Sequence, residues 1–132
     1  MSAMVHALIV EDLDFWQETL QEVLVDADFQ VQMASSYAEA LDLLAGYTFQ
    51  LAVIDPVLDD TDRHNRDGLE VLRYILDRRP GMCAVVVTSS DPKHIQREVD
   101  EMSAHVPVLC KDQWDDDRFL TMVRNLLIEK EL

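Results

Sequence analysis

Four short apolar runs in this 132-residue chain each end in a side chain that can do chemistry. HALIV leads into Glu11 and Asp12, LAVI into Asp55, CAVVV into Thr88 and VPVLC into Lys111. Three carboxylates brought together repel one another by about 1 kcal/mol per pair at 4 Å in bulk water, and by about 4 kcal/mol at an effective dielectric near 20. Such a cluster asks for a cation. All-oxygen ligands select a hard ion, and few protein ligands with room for water suit Mg²⁺ best, with Mn²⁺ or Ca²⁺ possible in its place. One ammonium and one hydroxyl complete the set.

The elements that must position these groups follow from patterning. Leu51 to Ile54 is too short for a helix and shows no polar alternation, so it reads as a strand buried on both faces of a parallel sheet. Pro56 cannot extend the ladder, which fixes the strand end at Asp55. Val5 to Val10, Phe29 to Met33, Cys83 to Val87 and Val106 to Cys110 supply four more strands, the second of them an edge because two Gln residues interrupt it. Between them run helices. From Asp14, a plausible N-cap, to about Ala27 the apolar residues Phe15, Leu20, Val23, Leu24 and Ala27 recur at helical spacing. Ser36 and Glu39 have capping-box spacing ahead of a helix with Ala38, Leu41, Leu44 and Ala45 inward, and Gly46 is a natural stop. Asp67 opens a third helix with Leu69, Leu72, Ile75 and Leu76 inward; Lys93 to Met102 forms a fourth, and Asp115 to Asp117 precede a fifth bearing Phe119, Val123, Leu126 and Leu127.

Five strands alternating with five helices make an α/β domain: a doubly wound five-stranded parallel sheet with helices on both faces. Right-handed crossovers favour the order 2-1-3-4-5 for this count. In that order the carboxyl ends of strands one, three, four and five adjoin, so Glu11, Asp12, Asp55, Thr88 and Lys111 share one rim.

Composition narrows the function. The chain reads as one domain over residues 1–132, and its formal net charge of -15 works against binding nucleic-acid phosphates or an anionic membrane. No apolar run approaches the ~20 residues needed to cross a bilayer. Cys83 and Cys110 lie at opposite ends of neighbouring strands, beyond the ~7 Å limit for bridging, and read as small core residues of a reducing, cytoplasmic compartment. His6, His64, His94 and His105 show no metal-ligand spacing, and Trp16 and Trp114 read as core or rim packing.

From HALIVED through LAVID, DGLEVL and VVVTSS to the Lys after strand five, the chain resembles the response-regulator receiver domain of two-component signalling. The resemblance implies a flavodoxin-like fold and a signalling domain rather than an enzyme, capable at most of its own phosphotransfer and dephosphorylation. It implies that Asp55 takes a phosphoryl group from a histidine kinase or phosphotransfer protein. Glu11 and Asp12 would hold Mg²⁺ with Asp55 and the Val57 backbone carbonyl, Lys111 would counter the phosphoryl charge, and Thr88 would hydrogen-bond it after transfer. The output would be a changed protein-binding face between strands four and five, serving a downstream protein or a fused effector. A homodimer would use the face of helices four and five. The chain is then either a single-domain regulator or a receiver cut from a longer protein.

Three places depart from the family's pattern. The loop from Asp55 to Asp67 is about five residues longer than usual and rich in charge, and reads as a solvated loop. Asp112 stands where the family usually has a cis Pro, so a trans bond is expected after Lys111. Val108 stands where an aromatic residue commonly swings inward, and Ser89 replaces a small residue beside Thr88. These departures motivate an alternative, a receiver-like interaction module that acts without phosphorylation. Two other classes fit less well. A haloacid-dehalogenase-type phosphatase needs a second Asp where Val57 stands, and a flavodoxin's flavin phosphate would be repelled by Glu11 and Asp12.

Overall fold

In the computed structural model, which describes residues 4–89, 92–103 and 105–131, five strands pair in parallel in the order β2-β1-β3-β4-β5. They are β1 (His6–Val10), β2 (Gln30–Ala34), β3 (Leu51–Ile54), β4 (Cys83–Thr88) and β5 (Val108–Cys110), alternating with α1 (Asp14–Asp26), α2 (Tyr37–Gly46), α3 (Asp67–Arg78), α4 (Pro92–Met102) and α5 (Asp116–Glu131). This is the doubly wound, flavodoxin-like arrangement with β2 and β5 at the edges.

Strand alternation divides the core into two layers. Leu8, Val10, Ala52, Ile54, Ala84 and Val86 face one way and pack with Ala40 and Leu44 of α2, Leu72 and Ile75 of α3, and Ile95 and Val99 of α4. Ala7, Ile9, Leu51, Val53, Val85 and Val87 face the other way and pack with Leu20 and Leu24 of α1 and Phe119 and Val123 of α5. Successive residues of a strand point to opposite faces, so a fully apolar run is what a two-sided sheet demands. The same alternation sends the residue after Val10 and the residue after Ile54 toward the α1 and α5 side.

Several local expectations shift. Asp14 is the first helical residue rather than the cap; Leu13 takes the cap position and makes no side-chain cap bond. Phe15 is not inward but 69% exposed, its ring meeting Trp16 edge-on at 5.6 Å. Leu44 of α2 is buried as expected, but Ala38 and Ala45 are exposed and Ala40 is buried in their place. Gly46 remains helical, Tyr47 turns the chain out in extended conformation, and no described glycine has positive φ. The left-handed stop falls instead at Asp28, φ 69°, where the Phe29 and Asp28 N–H groups donate to the Leu24 and Val25 carbonyls and close α1. Phe29 belongs to that cap, so β2 begins one residue later. Val106 and Pro107 fall outside β5: Pro107 has no N–H for the ladder, although its carbonyl still accepts from Val86 at 2.9 Å. Cys83 and Cys110 are free thiols. The peptide bonds described contain no cis bond, so Lys111 joins Asp112 in trans.

Candidate functional site

Each carboxylate is held where the ladder runs out. The Glu11 N–H donates to the Ala34 carbonyl at 3.0 Å and the Asp55 N–H to the Val10 carbonyl at 2.9 Å, so both residues extend the sheet by one step before the chain leaves it. Thr88 ends β4 in register with Cys110, one residue before Lys111. Glu11 and Thr88 are fully buried, and Asp55 and Lys111 are each 6% exposed. Asp12 is half-buried.

Lys111 ties the rim together. Its Nζ donates to Asp55 Oδ2 at 2.7 Å and to Glu11 Oε2 at 2.8 Å. The other oxygens are held by backbone: the Val57 N–H donates to Asp55 Oδ1 at 2.8 Å, and the Leu13 N–H to Glu11 Oε1 at 3.2 Å. One carboxylate oxygen from each of Glu11, Asp12 and Asp55 lies within 4.8 Å of the others. The sequence thus named four side chains that converge within hydrogen-bond or shared-ligand distance, with Thr88 on the adjacent strand end. Val57 is brought to the site through its N–H.

This rim is short of positive charge. Two buried carboxylates share a single ammonium, and Asp12 adds a third negative group. Burial, reinforced by the neighbouring Asp55 charge, pushes Glu11 up from 4.5 to about 8 despite the opposing pull of Lys111. Burial likewise raises Asp12, with Asp55 adding to it. A hard divalent cation would relieve the deficit, and an oxygen-only donor set on one side of the cluster fits such an ion.

Supporting residues fix the geometry. Gly68, the second residue of α3, passes so close to the Asp55 backbone that a Cβ there would overlap its carbonyl oxygen and sit 2.8 Å from Pro56 Cα. The Gly68 N–H donates to the Pro56 carbonyl at 3.1 Å. The long loop after β3 is exposed from Asp59 to His64, as expected, but it is also internally braced. Asn65 Oδ1 accepts from the Leu58 and Asp67 N–H groups at 3.0 and 2.9 Å, and Arg66 Nε donates to Glu98 of α4 at 3.0 Å.

The pattern that defines the response regulator receiver domain matches residues 7–124. The chain belongs to this family. The receiver fold is shared with solved structures: a receiver domain protein (CheY-like) from Methanospirillum hungatei, 22% identical, covering 98% of each chain at TM-score 0.81. The signal receiver domain of an HD domain-containing protein from Pseudomonas fluorescens is 24% identical, with 98% coverage of both chains and TM-score 0.81. A BeF3-activated DrrB receiver domain is 20% identical, covering 95% of this chain and 98% of that one, at TM-score 0.78. No curated protein matches the sequence.

One contact in this receiver escaped the sequence reading. Trp16, whose type suggests packing alone, lies with its ring centroid 4.9 Å from Lys111 Nζ. Trp16 lies in the first turn of α1, the helix that follows the acidic pair. Val108, by contrast, is half-buried and lines a cavity of about 290 Å³ with Cys110, Trp114 and Arg118.

Proposed function

We propose that this receiver domain accepts a phosphoryl group on Asp55, with Mg²⁺ held by Glu11, Asp12, Asp55 and the Val57 backbone carbonyl. The carrying observation is a buried ammonium bridging the carboxyl groups of Glu11 and Asp55 with Asp12 beside them, an oxygen set with more acidic groups than the one cation can balance once Glu11 ionises. An Asp55 oxygen attacks the phosphorus of a phosphohistidine on a histidine kinase or phosphotransfer protein. The new O–P bond forms as the N–P bond breaks, and the imidazole nitrogen keeps the electron pair. The phosphoryl group adds roughly -1.5 to -2 charge; Lys111 balances part of it, and the Thr88 hydroxyl hydrogen-bonds it afterwards. Bound Mg²⁺ supplies charge neutralisation at the phosphoryl oxygens.

The domain, residues 1–132, then works in the cytoplasm as a signalling module rather than an enzyme, altering its face between β4 and β5 toward a downstream protein or a fused effector, with a second copy docking through the face of α4 and α5. No helix described is long and apolar enough to cross a membrane. The uncompensated acidic rim favours this reading over an interaction module that ignores phosphate.

Incubation with Mg²⁺ and a small acyl-phosphate donor tests it by intact mass. Wild type gains one phosphoryl group and Asp55→Asn gains none; an unmodified wild-type chain overturns the reading.

A further inference from the structure

We propose that Trp16 is a positioning residue for Lys111, its indole face keeping the ammonium on Asp55; this rests on the phosphoacceptor reading of Asp55. A lysine ammonium has three N–H donors. Two are taken by Asp55 and Glu11, and the Trp16 ring stands 4.9 Å from the same nitrogen. The face of an indole carries negative potential and attracts a cation most strongly where water is excluded. Lys111 meets that condition, with its side chain 3% exposed.

The wall is braced from the far end of the chain. Trp114 meets Trp16 edge-on at 5.3 Å and 82°, and itself rests on the fully buried Phe119 of α5 at 4.9 Å. Trp114 Nε1–H is fixed by Asp116 Oδ1 at 2.6 Å, and the Phe15 ring also meets Trp16 edge-to-face at 5.6 Å. A lysine on a flexible four-carbon stem needs such a wall. Once phosphorylation removes the free Asp55 charge, Glu11 is left as the competing carboxylate, and the indole keeps the ammonium from swinging wholly toward it.

The test compares Trp16→Leu, which keeps apolar bulk, with Trp16→Phe, which keeps a ring, using beryllofluoride with Mg²⁺ as a tetrahedral stand-in for the phosphoryl group. Trp16→Leu should bind beryllofluoride roughly tenfold more weakly and Trp16→Phe should recover most of that loss. The affinity for Mg²⁺ alone should stay at the wild-type value in both, since Lys111 is not a ligand. Undiminished beryllofluoride affinity in Trp16→Leu overturns the proposal, as does a parallel loss of Mg²⁺ affinity or failure of the Phe variant to rescue. A wild-type chain that binds no beryllofluoride defeats the phosphoacceptor reading instead. In that event the Lys111 ε-methylene protons decide: upfield ring-current shifts in wild type that vanish in Trp16→Leu support the positioning contact, and unshifted protons overturn it.

Discussion

Glu11 is fully buried beside an ammonium that it shares with Asp55. Its carboxyl holds a proton up to about pH 8 in the folded, metal-free protein, against 4.5 ordinarily. Below pH 4.5 folded and unfolded chains both keep that proton, and the group adds no pH dependence. Between 4.5 and 8 the unfolded chain has lost it and the folded chain has not, so this group's contribution to stability falls as pH rises, by at most about 1.4 kcal/mol per unit. Glu11→Gln mimics the protonated form permanently. In the presence of a chelator, its stability advantage over wild type in urea unfolding should therefore grow from pH 5 to pH 8. The same variant should bind Mg²⁺ at least roughly tenfold more weakly, having lost a charged oxygen ligand. A constant difference across that pH range would mean that Glu11 is ionised throughout.

Two backbone positions at element ends set further expectations. Asp28 adopts the left-handed conformation that closes α1, at φ 69°, a state that costs an L-residue roughly 1 kcal/mol and glycine little. Asp28→Gly should stabilise the domain by about 0.5 kcal/mol in urea unfolding, the gain trimmed by the looser unfolded chain. At the start of α3 the steric logic reverses. Gly68→Ala should cost about 2–3 kcal/mol, as overpacking against backbone does, and should slow Asp55 modification because the clash falls on the Asp55 carbonyl. How much of this was legible follows the same division. The sheet, its order and the four converging rim residues were readable because apolar runs such as Val53-Ile54 and Val85-Val86 leave no alternative to two-sided burial. Phe15 was misjudged because residue type was read as direction, whereas its ring is exposed and meets Trp16 edge-on. The end of α1 near Ala27 was legible, but its left-handed closing residue was not, because an aspartate fills the place where glycine is the usual sign. The contact of Trp16 with Lys111 lay beyond reach, since it depends on α1 and the turn after β5 meeting in space.

Across the whole molecule, the net charge of -15 is carried on a chain of 132 residues. Such an excess opposes compaction through self-repulsion. Screening lengths shrink from about 30 Å at 0.01 M salt to about 10 Å at 0.1 M, so thermal unfolding should move up by several degrees over that range. A melting temperature indifferent to salt would show that opposite charges are already paired locally. The two short bonds of Lys111 span 56 and 100 residues of sequence. Contacts so distant along the chain form late, because long loops must close before they are rewarded. A growing polypeptide displays Asp55 well before residue 111 has been added, and so lacks the ammonium that Asp55 binds in the folded domain. If Asp55 is the phosphoacceptor, competence to receive a signal is withheld until synthesis has passed the last strand, and unfinished copies stay silent.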